Sequence, residues 1–122
     1  MEKLKILIVE DEVLVAIQLK MGLTRAGYVV VGVAASGEEA IESAKKDNPD
    51  VVVMDIRLIG AMDGIEAARQ IGRFSSARII FTTGYQEQSL KERAMVLKPA
   101  AYLDKPIGWR EVDSVIRSGA IS

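Results

Sequence analysis

Short apolar runs alternate with amphipathic stretches along the whole chain, at residues 4–9, 28–34, 51–55, 79–83 and 101–104. The first and third runs are nearly unbroken in Val, Ile and Leu, the pattern of strands covered on both faces. Between the runs, apolar residues recur at helical spacing. Val15, Leu19, Leu23 and Ala26 form the first such face, and Gly27 supplies its stop. Ser36 with Glu39, and Asp63 with Glu66, have the spacing of capping boxes. They open a second helix that stops before Asn48-Pro49 and a third running from Gly64 to about Arg73. The spacing predicts a fourth helix over 86–97 and a fifth over 109–117, with Val112, Val115 and Ile116 inward. Strict strand–helix alternation calls for parallel strands, right-handed crossovers and helices on both faces. The expected fold is an α/β three-layer sandwich of βα units.

Composition narrows the function more than the fold. The 122 residues suit one domain, 1–122, with no linker, repeat or low-complexity run. A core of this size needs no metal or disulfide staple. Sixteen basic and seventeen acidic residues leave a net charge of −1, so no global pull towards nucleic acid or an anionic membrane exists. The absence of cysteine excludes thiol nucleophiles and thiolate zinc sites. The absence of histidine excludes Ser-His-Asp chemistry, His-ligated metals and a phosphohistidine carrier. Met1-Glu2-Lys3 leads straight into the first apolar run, which is too short for a signal segment, and no run approaches membrane-spanning length. A cytoplasmic protein is the expectation.

Ligands of such sheets bind outside the carboxyl ends of the strands. The first strand ends in Glu10-Asp11-Glu12, the third in Asp55, the fourth in Thr82-Thr83-Gly84 and the fifth in Asp104-Lys105-Pro106. Crowded carboxylates repel one another unless a cation intervenes. A hard divalent ion suits oxygen donors, and few protein oxygens favour Mg²⁺ over Ca²⁺. A carboxylate, Mg²⁺, a lysine and a hydroxyl are together what phosphoryl transfer to aspartate requires. Each signal has a plainer meaning: the acidic run as a helix cap, the threonines as strand residues, and Lys105-Pro106 as no more than Lys98-Pro99. Four strand ends with complementary chemistry outweigh those meanings.

At these residues the sequence resembles the receiver domain of bacterial two-component response regulators, over essentially its whole length. The matching segments are Ile6-Leu7-Ile8-Val9-Glu10-Asp11-Glu12, Asp50-Val51-Val52-Val53-Met54-Asp55, Met62-Asp63-Gly64, Ile79-Ile80-Phe81-Thr82-Thr83-Gly84 and Tyr102-Leu103-Asp104-Lys105-Pro106. The resemblance implies a flavodoxin-like fold with strand order 2-1-3-4-5. It makes Asp55 the phosphoacceptor, Asp11 a direct Mg²⁺ ligand, Glu10 a ligand through water, and the Arg57 carbonyl a further ligand. Thr83 matches the switch hydroxyl, Lys105 the partner of the phosphoryl oxygens, and Tyr102 the aromatic that turns inward on activation. Pro106 matches a proline preceded by a cis peptide. The implied phosphodonor is a histidine kinase or a histidine phosphotransfer domain. The implied reader is a downstream protein or output domain facing the fourth helix, fifth strand and fifth helix. The protein would be a switch that assists its own phosphorylation, without a turnover substrate. Nothing after Ser118 resembles a DNA-binding helix, and a homodimer is neither required nor excluded.

Some positions depart from the family. The loop 58–64 has Ile59 where a proline is common, and it is one residue longer than the usual form. Arg57 and Tyr85, each two residues beyond a site residue, occupy positions that tune loss of the phosphoryl group in receivers, and their bulk would shield it from water. A flavin-binding reading fails because the first strand–helix turn is acidic and would repel phosphate. An aspartyl-phosphate hydrolase needs an acid where Arg57 stands. A receiver-shaped docking module that is never phosphorylated is the remaining alternative. Trp109 and the row Val13, Ile17, Met21 read either as partner-facing or as core, with core favoured for the row.

Overall fold

The computed structural model describes residues 3–120. Its elements alternate without exception: β1 (Lys5–Val9), α1 (Val13–Arg25), β2 (Val29–Ala34), α2 (Gly37–Asp47), β3 (Val51–Asp55), α3 (Gly64–Ile71), β4 (Arg78–Thr83), α4 (Gln88–Val96), β5 (Ala101–Asp104) and α5 (Trp109–Val115). All strand pairs are parallel and the sheet order is β2-β1-β3-β4-β5, as the resemblance implied.

Alternate residues of one strand serve opposite layers. Ile6 and Ile8 pack with Leu19 and Leu23 of α1 and Val112 of α5. Leu7 and Val9 pack with Ala40 and Ala44 of α2, Ile65 and Ile71 of α3, and Leu90 and Ala94 of α4. The central strand β3 is buried at every position, which is why its sequence reads as a continuous apolar run closed by one carboxylate.

Helix starts follow their caps. The Ser36 and Asp63 side chains accept the Glu39 and Glu66 amides at 3.2 and 2.8 Å. The returning half of the expected boxes is not what the glutamates do: Glu66 pairs with Arg69 and Gln70. Gly64 is demanded by proximity, since a Cβ there would overlap the Asp55 carbonyl, and its amide donates to the Ile56 carbonyl at 2.7 Å. The start of α3 is thereby pressed against the end of β3.

Three helix ends differ from the spacing-based expectation. α3 stops at Ile71 because Arg73 and Phe74 bond to Gln70 and Ile71, three residues back, tightening the turn. α4 starts at Gln88, with Glu87 extended before it. α5 passes at Val115 into a wider π turn over Ile116–Ala120, where Gly119 takes φ 89°. The α1 row is corrected outright: Val13, Ile17 and Met21 are 70, 47 and 56 % exposed, while Ala16, Leu19 and Leu23 fill the core. Trp109 is half-buried, its ring lying where a Cβ on Gly22 would sit. Tyr28 donates to Asp113, which also receives Arg117, joining α5 to the start of β2.

Candidate functional site

The four strand ends meet at one edge of the sheet. Glu10 follows β1 and its amide donates to the Ala34 carbonyl at 2.9 Å. Asp55 is the last residue of β3 and is 3 % exposed. The Lys105 amide donates to the Thr83 carbonyl at 2.7 Å, and the peptide joining Lys105 to Pro106 is cis, as expected. That backbone path sends the lysine across the sheet edge. Its Nζ lies 2.9 Å from Glu10 Oε1, 2.9 Å from Asp55 Oδ2 and 4.0 Å from the exposed Glu12. Glu10 Oε2 also accepts the Glu12 amide at 3.1 Å, which fixes the glutamate from both sides.

Burial of two carboxylates around one ammonium shapes their acidity. Burial raises the Asp55 pKa to about 7; the Lys105 hydrogen bond opposes this and the charge of Glu10 adds to it. For Lys105, burial alone would lower the pKa, but the bonds to Glu10 and Asp55 raise it on balance. The site therefore holds more negative charge than its own cation neutralises.

Glu10, Asp11 and Asp55 each bring one carboxylate oxygen within 4.8 Å of the others. An all-oxygen donor set with surplus negative charge fits a hard divalent ion. Arg57 follows two residues after Asp55, next to this cluster. Asp11, Glu12, Asp55, Arg57, Leu58, Ile59, Gly84, Tyr85 and Lys105 line an open cavity of about 560 Å³.

Thr83 and Tyr102 lie close by but outside the ion-paired group. The buried Thr83 hydroxyl accepts the Tyr85 amide at 3.0 Å and donates to the Tyr85 carbonyl at 3.2 Å. The Tyr102 hydroxyl is already buried, without a hydrogen-bond partner. Its pKa is raised, first by burial and then by the charge of Asp104, with nearby Thr83 opposing.

The loop 58–64 follows its own course. Ile59 forms a parallel bridge with Ser36, Gly60 takes φ 95°, and Leu58 and Met62 pack on the core. One residue of the site's rim escaped the sequence reading. Glu87 pairs with Arg57 at 2.7 Å, and the guanidinium lies 4.7 Å from the centre of the Tyr85 ring. No periodicity or spacing connects residues thirty apart in two different loops.

Among the described residues no helix is long and apolar enough to cross a membrane. Residues 6–117 match the family model described as the response regulator receiver domain. A transcriptional regulatory protein, PdtaR of Mycobacterium tuberculosis, is 40 % identical over 84 % of this chain and 49 % of its own length. The chemotaxis protein CheY of Thermotoga maritima is 35 % identical over 84 % of this chain and 85 % of its own. The crystal structure of the signal receiver domain of a modulated diguanylate cyclase from Desulfovibrio desulfuricans superimposes with a TM-score of 0.89. That domain is 36 % identical and covers 98 % of this chain and 94 % of its own. The chain spans about half the length of several curated relatives it matches. Receivers are signalling switches of two-component systems that take Mg²⁺ at an acidic pocket and work with kinases and output domains. With matching motifs, fold and strand order, this chain belongs to the response-regulator receiver family.

Proposed function

We propose that this chain is a phosphorylation-dependent switch that accepts a phosphoryl group on Asp55 from a histidine kinase or a histidine phosphotransfer domain. The observation that carries the reading is Lys105, whose ammonium joins Glu10 and Asp55 at 2.9 Å each inside a buried pocket. A carboxylate oxygen of Asp55 attacks the phosphorus, and the bond from phosphorus to the donor's imidazole nitrogen breaks with its electron pair going to that nitrogen; the imidazole leaves neutral because its other ring nitrogen carries a proton. Lys105 pairs with the oxygens of the arriving group and spreads their charge. Glu10, Asp11, Asp55 and the Arg57 carbonyl are the groups that would hold Mg²⁺, with Glu10 acting through water. When bound, Mg²⁺ supplies positive charge to the transferring oxygens and to the crowded carboxylates. Asp55 reacts as the carboxylate, so its raised pKa makes a bound cation a condition for efficient acceptance near neutral pH.

The phosphoryl group carries about −1.5 to −2 charge at the end of β3, in place of the single charge of the Asp55 carboxylate. Thr83 leaves its Tyr85 contacts to meet it, and Tyr102 settles further against the core. The faces of α4, β5 and α5 then differ between states, and a downstream protein or output domain reads them. The exposed row Val13, Ile17, Met21 begins directly after the acidic turn and is open to a partner. In this reading, residues 1–122 form one receiver domain acting in the cytoplasm, with no turnover substrate and no nucleic-acid contact of its own.

The test is intact-protein mass after incubation with a small acyl phosphate, with and without Mg²⁺, beside Asp55→Asn. One phosphoryl group, dependent on Mg²⁺ and absent from the variant, is the expected result. A folded protein that gains no mass and binds no beryllofluoride would instead be a docking module that works unphosphorylated.

A further inference from the structure

The cavity over Asp55 has a second cation in its wall besides Lys105, and its charge is engaged elsewhere. Arg57 lines that cavity together with Asp55 and Lys105, yet its Nη2 lies 2.7 Å from Glu87 Oε1. The guanidinium rests on the Tyr85 ring, and both members of the ion pair are half-exposed. Glu87 in turn lines the neighbouring cavity with Lys91, Tyr102 and Asp104, so the pair ties the phosphoacceptor's surroundings to the face beside β5. Glu87 is also the N-cap residue of α4, and its side chain caps no amide there. The first amides of a helix favour a nearby carboxylate. Glu87 thus has a second place to go.

We infer that Arg57 is a phosphoryl ligand held in reserve by Glu87. Phosphorylation of Asp55 draws the guanidinium off Glu87, and the freed carboxylate turns to the uncapped start of α4. The inference rests on the reading of Asp55 as phosphoacceptor. No bond is made or broken in the exchange; one ion pair replaces another. A phosphoryl group carries more charge than one carboxylate and offers a guanidinium paired acceptor oxygens. The pair it displaces is exposed and therefore weak. This route starts at the rim of the site and enters α4 by its first residues, apart from the path through Thr83 and Tyr102.

The experiment is a beryllofluoride titration in the presence of Mg²⁺ on the full chain, on Glu87→Gln, on Arg57→Ala and on the double variant. The amide resonances of Gln88, Ser89 and Leu90 are followed throughout. Glu87→Gln should bind about two- to fivefold tighter, the scale of an exposed ion pair. Arg57→Ala should bind more weakly, and Glu87→Gln should add nothing on top of it. Saturation should shift the α4 amides in the unmodified protein and shift them clearly less in Arg57→Ala, where the path through Thr83 and Tyr102 alone remains. Equal affinities for Glu87→Gln and the unmodified protein, or strictly additive effects in the double variant, would overturn the exchange. Such a result leaves Asp55 as phosphoacceptor intact, because the unmodified protein has still bound the mimic. An unmodified protein that neither binds beryllofluoride nor gains phosphoryl mass overturns both readings. Both substitutions sit on half-exposed side chains, and an unchanged unfolding midpoint confirms that the fold survives them.

Discussion

Two cations flank Asp55 and are held in opposite ways. On the floor of the site, Lys105 has 20 % of its side chain exposed and bridges two carboxylates that are almost wholly buried. On the rim, Arg57 and Glu87 are each 49 % exposed, and the guanidinium lies over an equally open tyrosine. The floor is held by a desolvated charge network in which removing any member leaves another uncompensated. The rim is a screened contact whose breaking costs little. In the function proposed above, the fixed part defines where a phosphoryl group would sit and the loose part is free to respond to it.

The largest effect expected from this contrast is on the floor. Lys105→Met should destabilise the Mg²⁺-free protein by about 3–5 kcal/mol at pH 8, because Glu10 and Asp55 lose the ammonium that bridges them. Urea unfolding with and without Mg²⁺ measures it, and a bound cation should recover much of the loss. A change under about 1 kcal/mol would place the floor in the same class as the rim.

The next effect is its pH dependence. Asp55 has a folded pKa of about 7 against an ordinary 3.8, so its protonated form is favoured by folding. A raised pKa contributes stability that is present in full below the unfolded value and fades as pH rises through the folded one. The unmodified Mg²⁺-free protein should therefore lose stability relative to Asp55→Asn between about pH 4 and 7, and the two curves should run parallel above that window. Unfolding midpoints across that range decide it; parallel curves throughout would mean that the carboxyl is not strained by its surroundings.

The smallest effect belongs to the rim. Arg57→Ala should move stability by less than about 1 kcal/mol, with the difference shrinking further at high salt. A loss comparable to that of Lys105→Met would show that the rim is a structural clamp.

Much of the floor was legible because one cause wrote both sequence and structure. A strand buried on both faces must be apolar throughout, so a carboxylate closing Val51-Val52-Val53-Met54 stands out against its background. Parallel topology then gathers all strand ends at one edge, which brings Glu10, Asp11, Asp55 and Lys105 together from segments far apart in the chain. The rim was illegible because Arg57 and Glu87 lie in loops, where no period relates sequence distance to contact. The α1 row misled for a different reason. That helix carries apolar residues on two stripes, Ala16-Leu19-Leu23 and Val13-Ile17-Met21, and periodicity cannot say which stripe meets the sheet. Tyr102 shows a third limit: a residue type does not say which way its ring points or whether its hydroxyl finds a partner.

The junction of Tyr28, Asp113 and Arg117, with Trp109 seated on Gly22, has a mechanical consequence. It braces α5 against α1 and the base of β2, whereas α4 meets the core through its two buried residues, Leu90 and Ala94, with the half-exposed Arg93 paired to Asp63 beside it. Under a common load α5 behaves as a strut and α4 as a lever arm. A protein gripping both helices at once would use the first as its fulcrum and sense the displacement of the second.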